Sequence, residues 1–200
     1  MFTGLVSSVG TLQERDGARF TIAAPFKRKT LEAGDSVACD GCCLTLIDVG
    51  KAKGGVVFTV EASNETLDRT TLRDWQAGRR INLERALALG DVLGGHLVTG
   101  HIDGRARIFS SAQDGDSVRF VLEAPDGLAA FIAPKGAVAL DGVSLTVNAV
   151  EGDRFGVNII PYTLSHTTWG DLKPGDLVNL EVDILARYVA RLEQYEGRIT

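Results

Sequence analysis

The chain lacks the features that mark several large protein classes. Of its 200 residues only three are cysteine, and Cys39, Cys42 and Cys43 fall within five positions. A secreted disulfide framework is spread out and even in count, so reduced thiols in the cytoplasm are expected. No second cysteine pair exists and the histidines are scattered at 96, 101 and 166, so the four ligands of a structural zinc site are not at hand. Runs of Lys or Arg are also missing. With a net charge of −5, neither nucleic acid nor an anionic membrane is expected as the main partner. No window offers the roughly 18–20 uninterrupted apolar residues of a membrane-spanning helix. The opening MFTGLVSSVG has no basic region and no long apolar core, so a secretory signal is not expected there. Apolar residues are abundant, at 44%, enough for one large domain or two small ones.

The chain also repeats itself. DGCCLTL (40–46) returns as DGVSLTV (141–147), and Thr3-Gly4 returns as Thr99-Gly100. Phe58 matches Phe155, ETLDRTTL (65–72) matches YTLSHTTW (162–169), and GRRINLE (78–84) matches GDLVNLE (175–181). The offset runs 96, 101, 97 and 97, which fits a five-residue insertion early in the second repeat and a four-residue insertion near GKAKGG of the first. A period of about 97 residues is the size of a small domain, not of a solenoid unit.

Within each repeat the signals are β. Runs such as ARFTIAA, DSVACD, LTLIDV, VVFTVEA and RINLERA are separated by Gly, Asp and Asn. Many short strands in under 100 residues suggest a sandwich or a small closed barrel, and closure removes exposed edges. Short helices are expected around PFKRKTLEA and PDGLAAFIA, and around TLRDWQ and TTWGDL. The last segment differs. In DILARYVARLEQY, Ile184, Leu185, Tyr188, Val189, Leu192 and Tyr195 form one stripe at helical spacing, with Asp183 as cap and Arg187 and Arg191 off the stripe. So short a helix is marginal alone, and its stripe must pack on its own barrels or on copies of itself.

Cys39-x-x-Cys42 has a redox spacing, but that motif works at a helix N-terminus, and strand and turn surround it here. Strand alternation puts Cys42 with Leu44 on one face and Cys43 with Thr45 on the other. The repeat matches Cys42 to Val143 and Cys43 to Ser144, so Cys42 is expected in the core and Cys43 and Ser144 at a site. GGHLVTGHID (94–103) lacks the GK[ST] of a phosphate loop, and Gly94 and Gly95 read as turn residues. His101 matches Leu5 and is thus a polar difference between the halves. It is either a structural histidine or a proton carrier, a role that suits imidazole at neutral pH. Thr66 and Thr163 can bind the amide edge of a heterocycle, cap a following turn, or do both. Duplicated sites with one polar difference suggest two copies of one ligand type in different roles.

Together MFTGLV, DGCCLTL, ETLDRTT, GGHLVTGHID, PKGAVALDGVSLTVN and IPYTLSHTT resemble the riboflavin synthase family, built from two lumazine-binding repeats, over essentially the whole chain. The resemblance implies an all-β fold of two tandem six-stranded Greek-key barrels plus a C-terminal helix. The expected limits are 1–93 and 94–182 for the barrels and 183–200 for an oligomerisation helix and tail. It implies a homotrimer, a possible association with lumazine synthase, and an active site between barrels of neighbouring subunits. The implied reaction is the dismutation of two 6,7-dimethyl-8-ribityllumazine molecules. A four-carbon unit passes from one to the other, giving riboflavin and 5-amino-6-ribitylaminouracil, with no metal or other cofactor.

Carried over residue by residue, the first ligand site is expected at Gly4, Leu5 and Val6, at Cys43, Leu44 and Thr45, and at Glu61, Ala62, Ser63, Asn64, Glu65 and Thr66. The second is expected at Gly100, His101 and Ile102, at Lys135, at Ser144, Leu145 and Thr146, and at Asn158, Ile159, Ile160, Pro161, Tyr162 and Thr163. Ser36 matches a family serine near the first pocket, and the implied catalytic set is His101, Ser144, Cys43, Ser36 and Thr146. Asp40 stands where the family commonly has asparagine. Asp141 fills the same place in the second repeat, so both read as turn residues. Two other classes stay open: a non-catalytic lumazine or flavin carrier of the antenna type, and a barrel interaction module with no small ligand.

Overall fold

A computed structural model describes residues 1–195. Two closed six-stranded antiparallel barrels follow one another along the chain. In the first, strands β1 (Ser8–Asp16), β2 (Arg19–Ala24), β3 (Ser36–Cys39), β4 (Cys42–Ala52), β5 (Gly55–Glu61) and β6 (Arg80–Arg85) close in the order β1-β2-β5-β4-β3-β6. In the second, β7 (Gly104–Asp114), β8 (Ser117–Glu123), β9 (Ala137–Leu140), β10 (Val143–Glu151), β11 (Arg154–Ile159) and β12 (Leu177–Val182) repeat that order. Three hairpin-linked strands with a fourth laid back beside them make the Greek key. The inserted residues lengthen hairpin β4–β5 in one barrel and β7–β8 in the other, where added length reaches into solvent.

Each barrel is filled by its own side chains, so neither interior is a ligand cavity. Phe20 meets Trp75 edge-on at 5.7 Å in the first, and Phe120 meets Trp169 edge-on at 5.0 Å in the second. The tryptophans come from the 3-10 turns at Thr71–Asp74 and Thr168–Asp171, or one residue beyond, where short helical turns are expected. The stretches PFKRKTLEA and PDGLAAFIA depart from expectation. They hold only 3-10 turns at Arg28–Thr30 and Ala129–Phe131, because few of their side chains reach the core. Two short helices, α1 (Asn64–Arg69) and α2 (Pro161–His166), occupy the -TLxxTT- segments. Their threonines act otherwise than expected. Thr66 and Thr163 lie inside the helices, while Thr70 and Thr167 cap the 3-10 turns by accepting the N–H of Leu72 and Trp169.

Helix α3 (Ile184–Glu193) begins at Asp183, whose carboxylate accepts the Leu185 N–H. Leu185, Tyr188, Val189 and Leu192 are each more than half exposed, so the stripe is not packed on its own barrels. The last part of the expected tail, 196–200, lies outside the described residues.

Candidate active site

An approximate two-fold relation joins the barrels, and the site is built around it. Phe2 and Val98, equivalent positions of the two repeats, exchange backbone hydrogen bonds of 2.7 and 3.1 Å. The Asp-Gly pairs form tight hairpin turns with φ of 43° and 79° at Asp40 and Gly41, and 44° and 77° at Asp141 and Gly142. The turns touch: a Cβ on Gly41 would stand 2.7 Å from the Gly142 nitrogen, which excludes any side chain. Asn82 of β6 reaches across to the Asp141 carbonyl and the Thr168 N–H. Asn179 of β12 reaches back to the Asp40 carbonyl and the Thr71 N–H.

This frame is polar, buried and unequal. Each aspartate accepts the backbone N–H of its own barrel's asparagine at 2.7 Å. Arg79 adds an ion pair to Asp40 at 3.2 Å, whereas its counterpart in the second repeat is Asp176. Asp141 therefore has no ion-pair contact, and its Oδ2 has no hydrogen-bond partner, among the described residues. Burial pushes the Asp40 carboxyl up to about 6 against the pull of Arg79. Burial, then the charge of Asp40, pushes Asp141 well above the usual carboxylate range.

Two glutamates hold the lead segments. Glu84 accepts the Thr3 N–H and Oγ1–H at 2.7 Å each and the Gly4 N–H at 3.0 Å. Glu181 accepts the Thr99 N–H at 2.7 Å, its Oγ1–H at 2.6 Å and the Gly100 N–H at 2.8 Å. Desolvation raises both carboxyls and these bonds pull them back. Neither glutamate was among the expected site residues, although NLE is shared by both repeats.

So held, each lead segment crosses to the other barrel. The Ser144 N–H donates to the Gly4 carbonyl at 2.8 Å, and the Cys43 N–H donates to the Gly100 carbonyl at 2.9 Å. Val6 packs on the second core and Ile102 on the first. Within one chain the segments therefore lie crosswise to the expected grouping. Gly4, Leu5 and Val6 belong with Ser144, and Gly100, His101 and Ile102 belong with Cys43. Contact is backbone-close: a Cβ on Gly100, at φ +80°, would stand 2.5 Å from the Cys43 Cβ.

The Cys43 side forms a cleft of about 470 Å³ lined by Cys43, Thr66, Gly100, His101 and Ile102, with Glu65 and Arg69 from α1. Arg187 of α3 closes one wall through an ion pair to Asp103, whose other oxygen accepts the Val182 N–H. His101 is exposed at the rim with no side-chain partner among the described residues. On β4, Cys42 and Leu44 are buried while Cys43 is half-buried and Thr45 exposed, as strand alternation demands. Leu44 therefore faces the core and can meet a ligand only through its backbone. Burial pushes the Cys42 thiol up to about 12 and Cys39 well above its ordinary value, so neither is a ready nucleophile.

The other expected residues fall around these centres. Ser36 pairs with Thr45 across β3–β4, on the outer face that carries Cys43. Thr146 and Ala137 hold the matching places in the second barrel. Leu145 packs against the second core, and Lys135, at φ +67°, stands at the turn before β9 with its side chain in solvent. Glu61 is engaged by Arg19 at 2.7 Å, Ala62 is buried, and Ser63 caps α1 ahead of exposed Asn64. In the second barrel Asn158 has a buried Oδ1 with no partner among the described residues, and Ile159 is buried. Ile160 and Tyr162 are exposed on either side of Pro161, and the Thr163 carbonyl accepts from Thr167. Gly94 and Gly95 do not make a turn. A Cβ on Gly95 would stand 2.0 Å from the Thr3 carbonyl oxygen, so these glycines permit a close backbone crossing.

Comparison with known proteins matches this duplicated design. A family model described as the lumazine binding domain matches residues 3–86 and again 99–183. Riboflavin synthase of Brucella abortus (strain 2308) is 50% identical over 201 residues, covering 98% of this chain and 100% of that protein. Riboflavin synthase of Bacillus subtilis (strain 168) is 36% identical over 195 residues, covering 96% and 89%. Among solved structures, LumP complexed with riboflavin superposes with a TM-score of 0.79 at 25% identity, covering 91% of this chain and 99% of that one. The chain belongs to the riboflavin synthase family and carries the lumazine binding domain twice.

Proposed function

We infer that this protein catalyses the riboflavin synthase reaction: two molecules of 6,7-dimethyl-8-ribityllumazine dismutate to riboflavin and 5-amino-6-ribitylaminouracil. The observation that carries the reading is the pairing of two equivalent sites with unequal polar groups. One places Cys43 beside Gly100 and His101, and the other places Ser144 beside Gly4 and Leu5. A dismutation needs this: one kind of ligand bound twice, once as four-carbon donor and once as acceptor. A carrier of the antenna type has no use for the difference.

The residues divide the work by their surroundings. His101 stands free at the rim of its cleft and serves as proton carrier for the 7-methyl group of a bound lumazine. Cys43 and Ser144 face the ligands as nucleophiles or as groups that hold the water adding to the ring. Ser36, Thr45 and Thr146 share the outer faces of the same hairpins. Backbone groups from residues 61–66 and 158–163 meet the planar edges of the two heterocycles. Holding both ring systems in contact makes a bimolecular reaction local.

The proposal extends to assembly. Three copies join through α3, whose unpacked stripe supports a contact between chains, and the joined copies bring a first-barrel site against a second-barrel site. Reduced thiols accord with a cytoplasmic setting, and no helix among the described residues is long and apolar enough to cross a membrane. Incubation with the lumazine alone, followed by flavin fluorescence, tests the activity. Sustained riboflavin formation is expected, and tight lumazine binding without turnover would instead favour the carrier.

A further inference from the structure

We propose that His96 is a positioning residue for Ser144: its Nδ1 accepts the Ser144 Oγ–H and turns the serine's oxygen lone pairs toward the ligand. The inference rests on the reading that Ser144 faces a bound lumazine. His96 Nδ1 lies 2.7 Å from Ser144 Oγ. The imidazole is delivered there by backbone. The His96 N–H donates to the Thr3 carbonyl at 3.1 Å, and Gly95 passes so close to Ser144 that a Cβ would stand 3.1 Å from its Oγ.

Two neutral tautomers of His96 fit the contact with Ser144, and the proposed one leaves the serine oxygen's lone pairs free. Burial lowers the His96 pKa below its ordinary value, and nearby Asp183 opposes this only in part, so the ring is neutral at pH 7. A neutral imidazole has one donor and one acceptor nitrogen. With Nδ1 accepting, Nε2 carries the proton, and this nitrogen is buried with no partner among the described residues. The Ser144 N–H is already taken by the Gly4 carbonyl. In this tautomer Ser144 gives its single hydroxyl proton to His96 and keeps its lone pairs for the ligand. The equivalent Cys43 has no histidine partner among the described residues, so the device belongs to one half of the duplicated site.

Substitution separates this role from packing. An Asn side chain places its amide where Nδ1 stands, and Gln places it where Nε2 stands. With the full-length chain and lumazine as substrate, His96→Ala and His96→Gln should lower kcat roughly 10- to 100-fold with little change in KM. His96→Asn should stay within about fivefold of the parent. In a Ser144→Ala background, His96→Ala should cost little more, since its effect runs through Ser144. Urea unfolding of each variant checks folding, and if the Ala variant does not fold, the Asn-to-Gln order decides. Gln matching or exceeding Asn, a full further loss in the Ser144→Ala background, or unchanged kcat in His96→Ala would overturn the proposal. Nitrogen-15 NMR of the parent gives a readout independent of turnover. An unprotonated, hydrogen-bonded Nδ1 is expected, and a protonated Nδ1 would refute it. A parent protein that made no riboflavin would sink the functional reading and leave the NMR result to judge His96.

Discussion

Glu181→Gln tests the crosswise construction, because the residue sits on the second barrel while its effect should appear on the first. Glu181 accepts three hydrogen bonds, from the Thr99 N–H and Oγ1–H and from the Gly100 N–H. A glutamine keeps the shape but turns one acceptor into an NH2. Whichever way the amide lies, a donor meets a donor. The loss is one charge-assisted bond and one or two orphaned buried donors, about 2–4 kcal/mol. Removing a carboxylate whose pKa burial has raised returns part of this, leaving a net cost of about 1–3 kcal/mol. That cost falls on the segment that places the Gly100 carbonyl on the Cys43 N–H. Cys43 is the half-buried thiol, while Cys39 and Cys42 are buried, so its reaction with a thiol reagent reports the seating of Gly100. At about 1.4 kcal/mol per tenfold, local opening should speed its labelling roughly 5- to 100-fold. The matching Glu84→Gln should instead loosen Gly4 from Ser144 and leave Cys43 labelling near the parent rate. Equal acceleration by both variants, or none by Glu181→Gln, would refute the crossing.

Further outcomes concern the frame and the assembly. Because the folded-state pKa values of Asp40 and Asp141 are raised, their contribution to stability is fullest below the unfolded value of 3.8 and is lost as pH rises through about 6 and beyond. Asp141→Asn keeps the acceptor for Asn179 and tolerates the positive φ, so it should gain stability over the parent between pH 5 and 8. The gain should grow by about 1.4 kcal/mol for each pH unit above 3.8 until the pH passes the raised pKa; parallel urea-unfolding profiles for the two proteins would contradict this. Gly100→Ala combines a φ of +80° with a Cβ 2.5 Å from that of Cys43 and should cost at least about 2 kcal/mol, read as a lower urea midpoint. An unchanged midpoint would mean the segment is not clamped. Leu192→Glu puts charge on the exposed α3 stripe and should lower the oligomeric state seen by sedimentation; an unaltered state would remove the helix from assembly.

The barrels were legible because duplication and strand alternation are local signals. Cys42 against Val143 and Cys43 against Ser144 already separated buried from half-buried side chains, and the Asp-Gly pairs named their own turns. The crossing of the lead segments was not legible. Thr3-Gly4 precedes the first barrel and Thr99-Gly100 the second, so chain order suggests that each serves the strands that follow. What sends them across is a carboxylate about 80 positions later in each repeat together with a backbone acceptor on the opposite hairpin. The threonine caps were misplaced by one turn because Thr66 and Thr70 have equal side-chain chemistry, and the backbone decides which one sits at a helix start. His96 carried no repeat signal at all; its partner Ser144 is close only in space.

The central claim is that two copies of one lumazine react in unlike sites of this family member. Quantifying products after incubation with 6,7-dimethyl-8-ribityllumazine alone tests it most directly. The account predicts that two lumazines disappear for each riboflavin formed, with one 5-amino-6-ribitylaminouracil released. Equal loss of lumazine and gain of riboflavin, or a dependence on another carbon donor, would contradict it.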